Sequence, residues 1–219
     1  MTCMAPALAQ LDRITAKEAA SGLKAALEKG SGAAVSSLGR TDGFFGNPEV
    51  KIPLPGSLQR AEKMMRRFGM GPYADELILT LNRAAEAAVP EARPLLVDSV
   101  RKMTVQDAKA ILQGGDTSGT EYFRRTTEGE LRKRFLPIVE QATQKLGLAR
   151  QYENYADKGV ALGVVTKEDA DLDGYVTQKA LDGLFLELGE EERKIRRDPV
   201  SAGPSIIRKV FGALQPVQR

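Results

Sequence analysis

The chain has no histidine and no tryptophan, and Cys3 is the only cysteine among its 219 residues. The missing histidine excludes Ser-His-Asp triads and histidine-bearing zinc sites, and it removes the usual general base at neutral pH. One thiol forms neither an intrachain disulfide nor a thiolate metal site. We therefore expect a non-enzymatic protein, and a hydrolase that uses carboxylates alone is the enzymatic alternative.

Two further absences concern location and partners. No uninterrupted apolar run approaches the roughly 20 residues that a membrane-spanning helix requires, which predicts a soluble chain. The 32 basic and 29 acidic residues are nearly balanced and evenly mixed, whereas nucleic-acid-binding proteins concentrate basic residues on one face. We expect no nucleic-acid partner.

Strand-like alternation is nearly absent too, and helical periodicity dominates. The clearest helix has an apolar face that consists of Ala74, Leu77, Ile78, Leu81, Ala84, Ala85 and Ala88. Its opposite face is charged and carries Asp75, Glu76, Arg83 and Glu86. The sequence predicts an all-α fold: one domain of about ten helices over residues 15–215, preceded by a mobile tail at residues 1–14.

Capping patterns and prolines predict several helix ends. Thr15 with Glu18 forms a capping box that opens the first helix, and Thr127 with Glu130 opens a long helix that Pro137 should kink or split. The segment GFFGNPEVKIPLPG, residues 43–56, contains three prolines and is expected to be an ordered loop.

The helix after this loop carries many cations. It is predicted to begin near Ser57, and its basic residues lie beside methionines and a phenylalanine: Arg60, Lys63, Arg66 and Arg67 with Met64, Met65 and Phe68. Such a helix can rest on an anionic membrane surface, and an ordinary solvated face is the alternative.

The segment EDADLDGYVTQKALDGL, residues 168–184, resembles a calcium loop. Counted from Asp169, it has carboxylates at positions one, three and five, a glycine at six, a backbone carbonyl at seven and a hydroxyl at nine, supplied by Asp169, Asp171, Asp173, Gly174, Tyr175 and Thr177. Alternate carboxylates can converge on one hard cation, so the pattern predicts a calcium site.

The last ligand position of this loop breaks the pattern. Ala180 stands where a bidentate glutamate is required, and Asp182 is the nearest substitute, through water. The alternative is an acidic helix entrance, with Thr177 as the N-cap and the aspartates favoured by the helix dipole. Without the last ligand we expect weak calcium binding, at about 10⁻⁴ to 10⁻³ M as in extracellular modules.

Two further charged segments have simpler interpretations. GGDTSGTEYFRR, residues 114–125, combines hydroxyls at a helix start with two arginines, and it is a weak candidate for anion binding through Thr117, Thr120, Arg124 and Arg125. A capped turn between helices is the alternative. The pairs Glu190 with Lys194 and Glu192 with Arg196 have favourable i,i+4 order, which predicts a solvated helix surface.

The N-terminus has features of an export signal. Ala7-Leu8-Ala9 before Gln10 has the small-x-small form of a signal-peptidase site, without the apolar region that normally precedes it. We favour an exported protein of the periplasm or cell envelope, whose tail is a signal-peptide remnant. The chain is cytoplasmic if Met1 is its true start.

Long stretches of the chain resemble the bacterial domain-of-unknown-function family 4197. The resemblance rests on NPEVKIPLPGSLQRAEK, NRAAEAAVPEARPLLVDSVRKMTVQDAKAILQGGDTSGTEYFRR and DADLDGYVTQKALDGLF, and it covers about residues 21–211. It implies an exported protein but brings no activity or catalytic residues. The leading hypothesis is a non-enzymatic envelope protein that binds calcium. The alternative is a carrier protein that holds an apolar or anionic small molecule in a cavity between its helices, with Arg124 and Arg125 at the mouth of that cavity.

Overall fold

A computed structural model describes residues 14–144 and 171–213, and these residues are helical without any β-strand. The all-α prediction is confirmed for them. They form eight α-helices, against about ten expected over the whole chain: α1 (Ala16–Leu38), α2 (Gly56–Arg67), α3 (Gly71–Ala88), α4 (Ala92–Lys102), α5 (Val105–Gln113), α6 (Ser118–Gln144), α7 (Leu172–Arg197) and α8 (Ser205–Gly212). A short 3-10 helix, Val89–Glu91, joins α3 to α4.

Local capping explains why two of these helices begin where they do. At α1, the N–H of Thr15 donates to the Glu18 carboxylate at 3.0 Å, and the N–H of Glu18 donates to the Thr15 hydroxyl at 3.2 Å. Thr104 and Asp107 form the same reciprocal pair at the start of α5. Both pairs satisfy amides that a helix end leaves without intrahelical partners. The predicted capping box of the first helix is confirmed.

The predicted start of the long central helix is wrong. α6 begins at Ser118, so Thr127 lies inside it, where its hydroxyl donates to the carbonyl of Phe123 at 2.7 Å. A threonine inside a helix can donate its hydroxyl to a carbonyl of the preceding turn in this way. The Thr-x-x-Glu pattern then does not mark the start of a helix. Pro137 is accommodated within α6 and does not split it.

The described residues belong to two compact units. The first unit contains residues 14–34, Arg93–Glu128 and residues 185–213. The second contains Val35–Ala92, residues 129–144 and residues 171–184. This division was not predicted from the sequence. Within the described ranges, no helix is long and apolar enough to cross a membrane.

The proline-rich loop of the second unit is ordered by two polar side chains of α3. Asn82 is fully buried, accepts a hydrogen bond from the N–H of Ile52 at 2.8 Å and donates to the carbonyl of Ile52 at 2.9 Å. One turn later, Glu86 accepts from the N–H groups of Phe44 and Phe45 at 3.0 and 3.1 Å. The ordered loop is thus confirmed, whereas Glu86, predicted on the charged face of α3, is buried.

Candidate functional site

The helix of the acidic segment begins earlier than predicted, at Leu172 rather than after Thr177. Oδ1 of Asp171 accepts the N–H of Gly174 at 2.8 Å, and the carbonyl of Asp171 accepts the N–H of Tyr175 at 2.9 Å. Asp171 is therefore the N-cap of α7. The prediction that Thr177 caps this helix is wrong, because Thr177 lies in the second turn and is fully buried.

The remaining predicted ligands of the calcium loop contact different neighbours. Oδ1 of Asp173 accepts the hydroxyl of Thr143 at 2.6 Å. The hydroxyl of Tyr175 donates to the carbonyl of Pro53 at 3.0 Å, and Oδ1 of Asp182 accepts the amide of Gln178 at 2.9 Å. Among the described residues no group of three or more His, Cys, Asp or Glu side chains lies close enough to hold a metal. Asp169 lies outside the described residues.

Among the buried side-chain atoms that the structure describes, one in this region has no hydrogen-bond partner. Oγ1 of Thr177 is buried and unpaired, and Thr177 follows Asp173 by four residues, on the same face of α7. A buried hydroxyl without a partner is unusual in a folded protein. Ala180, at the position of the missing glutamate, is also fully buried and offers no ligand atom.

The predicted anion site at the start of α6 is occupied by a carboxylate of the chain itself. The Glu192 side chain accepts the N–H of Gly119 at 2.9 Å and both the N–H and the hydroxyl of Thr120, at 2.8 and 2.9 Å. Arg196 donates to the same carboxylate from Nε and Nη2, at 3.1 and 2.9 Å. Helix N-termini favour negative charge because their free N–H groups point outward, and here Glu192 supplies that charge.

The other residues of the predicted anion site have separate roles. The carbonyl of Thr117 accepts the N–H of Glu121 at 2.9 Å, which closes the first turn of α6. Arg124 stacks over the ring of Phe185 at 4.3 Å and pairs with Glu128 at 3.4 Å. Arg125 lies over the ring of Tyr122 at 5.6 Å. Neither arginine is among the described hydrogen-bond donors to the Glu192 carboxylate.

Glu192, Glu86 and Asn82 organise the fold, and sequence reasoning gave none of them this role. The predicted i,i+4 pair of Glu192 with Arg196 is present at 2.9 Å, but Glu192 is buried rather than part of the helix surface. The sequence carries no local signal for this role of Glu192, because the hydroxyls of residues 114–125 already offer a cap at the start of α6.

The apolar pocket of the first unit has little room for a ligand. Its volume is about 10 Å³, and its lining includes Leu23, Leu27, Phe123, Leu188 and Phe211. That volume suits one water molecule at most, whereas ligand pockets typically measure about 300 to 1,000 Å³. The carrier hypothesis gains no support from this pocket.

A larger depression of about 420 Å³ in the same unit is open and charged. Its lining includes Lys29, Glu191, Lys194 and Asp198. Lys194 pairs with Glu191 at 2.6 Å, and Lys29 donates to the carbonyl of Ala202. Because these cations already have partners in the chain, the depression is not a strong anion site.

Large apolar side chains are exposed where α2 meets α3. Phe68 is 72 % exposed, and Met64, Met70 and Tyr73 are 59, 44 and 62 % exposed. Gly69 adopts a φ of 75°, which allows the N–H of Met70 to donate back to the carbonyl of Met65 at 2.8 Å and reverses the chain. The predicted helix from near Ser57 is confirmed, and Phe68 at its end faces solvent.

These features define an all-helical protein in which buried polar side chains hold helix starts and a long loop in place. The chain belongs to the family described as protein of unknown function (DUF4197), whose family model matches residues 13–212. The resemblance found in the sequence is therefore confirmed. No curated protein and no solved structure matches the chain.

Proposed function

We propose that this chain is a non-catalytic protein of the cell envelope that binds calcium, or another hard divalent cation, at the start of α7. The observation that carries the proposal is the buried, unpaired Oγ1 of Thr177 one turn after Asp173. The acidic sequence pattern and this atom lie at the same end of α7, and together they support the proposal. Asp171 and Asp173 supply the anionic oxygens, with Asp169 as the third carboxylate of the pattern.

The hydrogen bonds of the two aspartates leave room for a cation. A carboxylate has about four lone-pair sites, and Oδ1 of Asp171 and of Asp173 each accept one described hydrogen bond from the chain. A cation bound at the start of α7 would offset the negative charge of the carboxylates there. Water bound to that cation would reach the Thr177 hydroxyl, which occupies the loop position that commonly binds calcium through water.

Envelope location rests on the signal-like N-terminal pattern and on the family resemblance. The site offers few ligands, so the calcium concentration in that compartment would need to be high enough to occupy a weak site. Because α7 starts at Leu172 and Ala180 provides no oxygen, the site has no bidentate carboxylate at its last position. We expect a Kd near 10⁻⁴ to 10⁻³ M, which is typical of extracellular modules.

The test is a thermal melt of the full chain with calcium from zero to 10 mM. Binding to the folded state alone stabilises by about 1.4 kcal/mol at tenfold above Kd, which raises Tm by roughly 3 to 6 °C for a chain of this size. The double variant Asp171→Asn and Asp173→Asn should lose this response. Asparagine remains a good N-cap and hydrogen-bond acceptor, so the calcium-free fold should persist.

A matched control removes two carboxylates outside the acidic segment. Asp75→Asn with Glu76→Gln, at the start of α3, should keep the full calcium response. An unchanged Tm in the wild type over this range, with no heat in titration calorimetry, would refute the calcium proposal and leave Asp171 as a helix cap only.

A further inference from the structure

We propose that the junction of α2 and α3 binds an anionic lipid surface. This α2–α3 surface consists of six residues: Lys63, Met64, Arg67, Phe68, Met70 and Tyr73. The four apolar members are 44 to 72 % exposed, and clustered exposed apolar side chains on a folded protein indicate an interaction site. The inference does not depend on the calcium proposal.

The charges of α2 are segregated between its two sides. Arg66 is held by Glu62 at 3.0 Å and by Asp75 at 2.6 Å, which also raises the pKa of Arg66. Lys63 and Arg67 are exposed and form none of the ion pairs found among the described residues. The carboxylates Glu62 and Asp75 thus neutralise the Arg66 side, and among the side chains of α2 that the structure describes, Lys63 and Arg67 are cations without an ion pair.

Those two cations flank the exposed apolar side chains. Positions 63, 64, 67 and 68 follow the i, i+1, i+4, i+5 spacing of one helix face, so Lys63 and Arg67 lie beside Met64 and Phe68. A helix with lysine and arginine next to exposed methionine and phenylalanine suits the headgroup boundary of a bilayer, where cations meet phosphates and apolar groups enter by about 5 to 10 Å. Tyr73 adds an amphipathic ring of the kind enriched at that boundary.

Lipid fits this surface better than other anionic partners. A nucleic acid would satisfy Lys63 and Arg67, but its phosphates would leave Met64 and Phe68 in water. An acidic protein would need an apolar pocket shaped to these side chains. A lipid interface accepts flexible methionines and aromatic rings without such a shaped pocket, and it binds both the charged and the apolar groups of the surface.

The test is flotation of the full chain with large unilamellar vesicles. One set contains phosphatidylcholine with 30 % phosphatidylglycerol, and the other contains phosphatidylcholine alone. We expect flotation with the anionic vesicles only, weakened by 0.5 M NaCl through screening. Lys63→Gln with Arg67→Gln should lower the partition coefficient roughly 30-fold, since each cation near an anionic membrane contributes about fivefold.

Two further variants separate insertion from simple attraction of charges. Met64→Ser with Phe68→Ser should lower partitioning at least about tenfold at unchanged net charge. The matched control, Arg93→Gln with Lys109→Gln, removes two exposed cations from α4 and α5 and should retain wild-type flotation. All replaced side chains are exposed, so every variant should melt as the wild type does.

Four results would overturn the inference. The first is no flotation of the wild type with either vesicle set. The second is equal flotation of the wild type and the Lys63→Gln, Arg67→Gln variant. The third is a loss of flotation in the control as large as in that variant, and the fourth is no loss in the Met64→Ser, Phe68→Ser variant. Either of the last two would indicate general attraction of cations to any polyanion, such as DNA or an acidic protein.

Discussion

The carboxylate of Glu192, in α7, accepts the N–H of Thr120 at 2.8 Å and so caps α6 from 72 residues away in sequence. Arg196 completes the group, and its side chain and that of Glu192 are only 12 and 6 % exposed. A buried charge pair of this kind is costly to break, because Arg196 then keeps the carbonyl of Ile111 as an acceptor at 3.1 Å but loses the carboxylate of Glu192.

The first prediction follows from that geometry. Glu192→Ala should lower the free energy of unfolding by about 3 kcal/mol or more, since it leaves Arg196 and two helix amides without the acceptor. Urea denaturation measures the loss. The control is Glu190→Ala on the same helix, which removes a partly exposed pair with Arg193; it should change stability little. Similar losses in both variants would contradict a special role for Glu192.

The second prediction concerns two glycines of α1. A Cβ on Gly22 would lie 2.9 Å from Cβ of Val210 and 3.0 Å from the carbonyl oxygen of Ile206, whereas a Cβ on Gly32 would meet no atom within 4 Å. Gly22→Ala should therefore destabilise by about 1 to 3 kcal/mol through overpacking. Gly32→Ala should stabilise by about 0.5 to 1 kcal/mol, because alanine restricts the unfolded chain and favours helix.

Thermal melting of the two alanine variants decides this prediction, since each carries the same substitution in the same helix. Opposite shifts in Tm are expected. Shifts in the same direction would show that helix propensity alone, without the approach of α8 to α1, governs both positions.

The sequence predicts the features that depend on neighbours along the chain. The Thr15 and Glu18 cap and the apolar face of α3 are within a few residues of each other, so local chemistry determines them. Glu86 and Glu192 differ, because each lies on a charged face by helical periodicity. Their burial depends on amides at residues 44 and 119, and a single sequence contains no signal of that proximity.

The start of α7 shows a second limit of sequence reasoning. Asp169, Asp171, Asp173 and Thr177 are all residue types that cap helices well. Periodicity does not rank such close competitors. The start at Leu172 places Val176 and Ala180 in the buried face of α7, together with Thr177. The position of the N-cap at Asp171 is therefore consistent with the packing of this buried face, and intrinsic capping preference does not account for it.

The third prediction concerns the link between α3 and the proline-rich loop. Asn82→Ala removes both hydrogen bonds to Ile52 and leaves a buried N–H and a buried carbonyl without partners, so it should cost about 3 kcal/mol. Hydrogen exchange should show faster exchange of the Ile52 amide. In the control, Asn47→Ala removes an exposed turn contact to the N–H of Glu49, for which we expect well under 1 kcal/mol. An Ile52 amide that stays protected would argue against Asn82 as the residue that orders the loop.

The fourth prediction concerns acid stability and the contact between Glu18 and Lys209. The Lys209 ammonium donates to the Glu18 carboxylate at 2.6 Å. This hydrogen bond, together with those from Thr15, lowers the pKa of Glu18 from 4.5 to about 2. A lowered pKa in the folded state means that the unfolded chain binds the proton more readily. The contribution of Glu18 is thus complete above pH 4.5 and is lost as the pH falls toward 2.

Two measurements test this assignment. In NMR titration, the side-chain carboxyl of Glu18 should titrate near pH 2 in the wild type and closer to pH 4.5 in Lys209→Gln, because the largest cause of the lowered pKa is then removed. In urea denaturation, the stability difference between the wild type and Glu18→Gln should shrink between pH 5 and pH 2, since protonation makes the two side chains similar. A difference that stays constant over this range would mean that Glu18 acts through packing or neutral hydrogen bonds rather than through its charge.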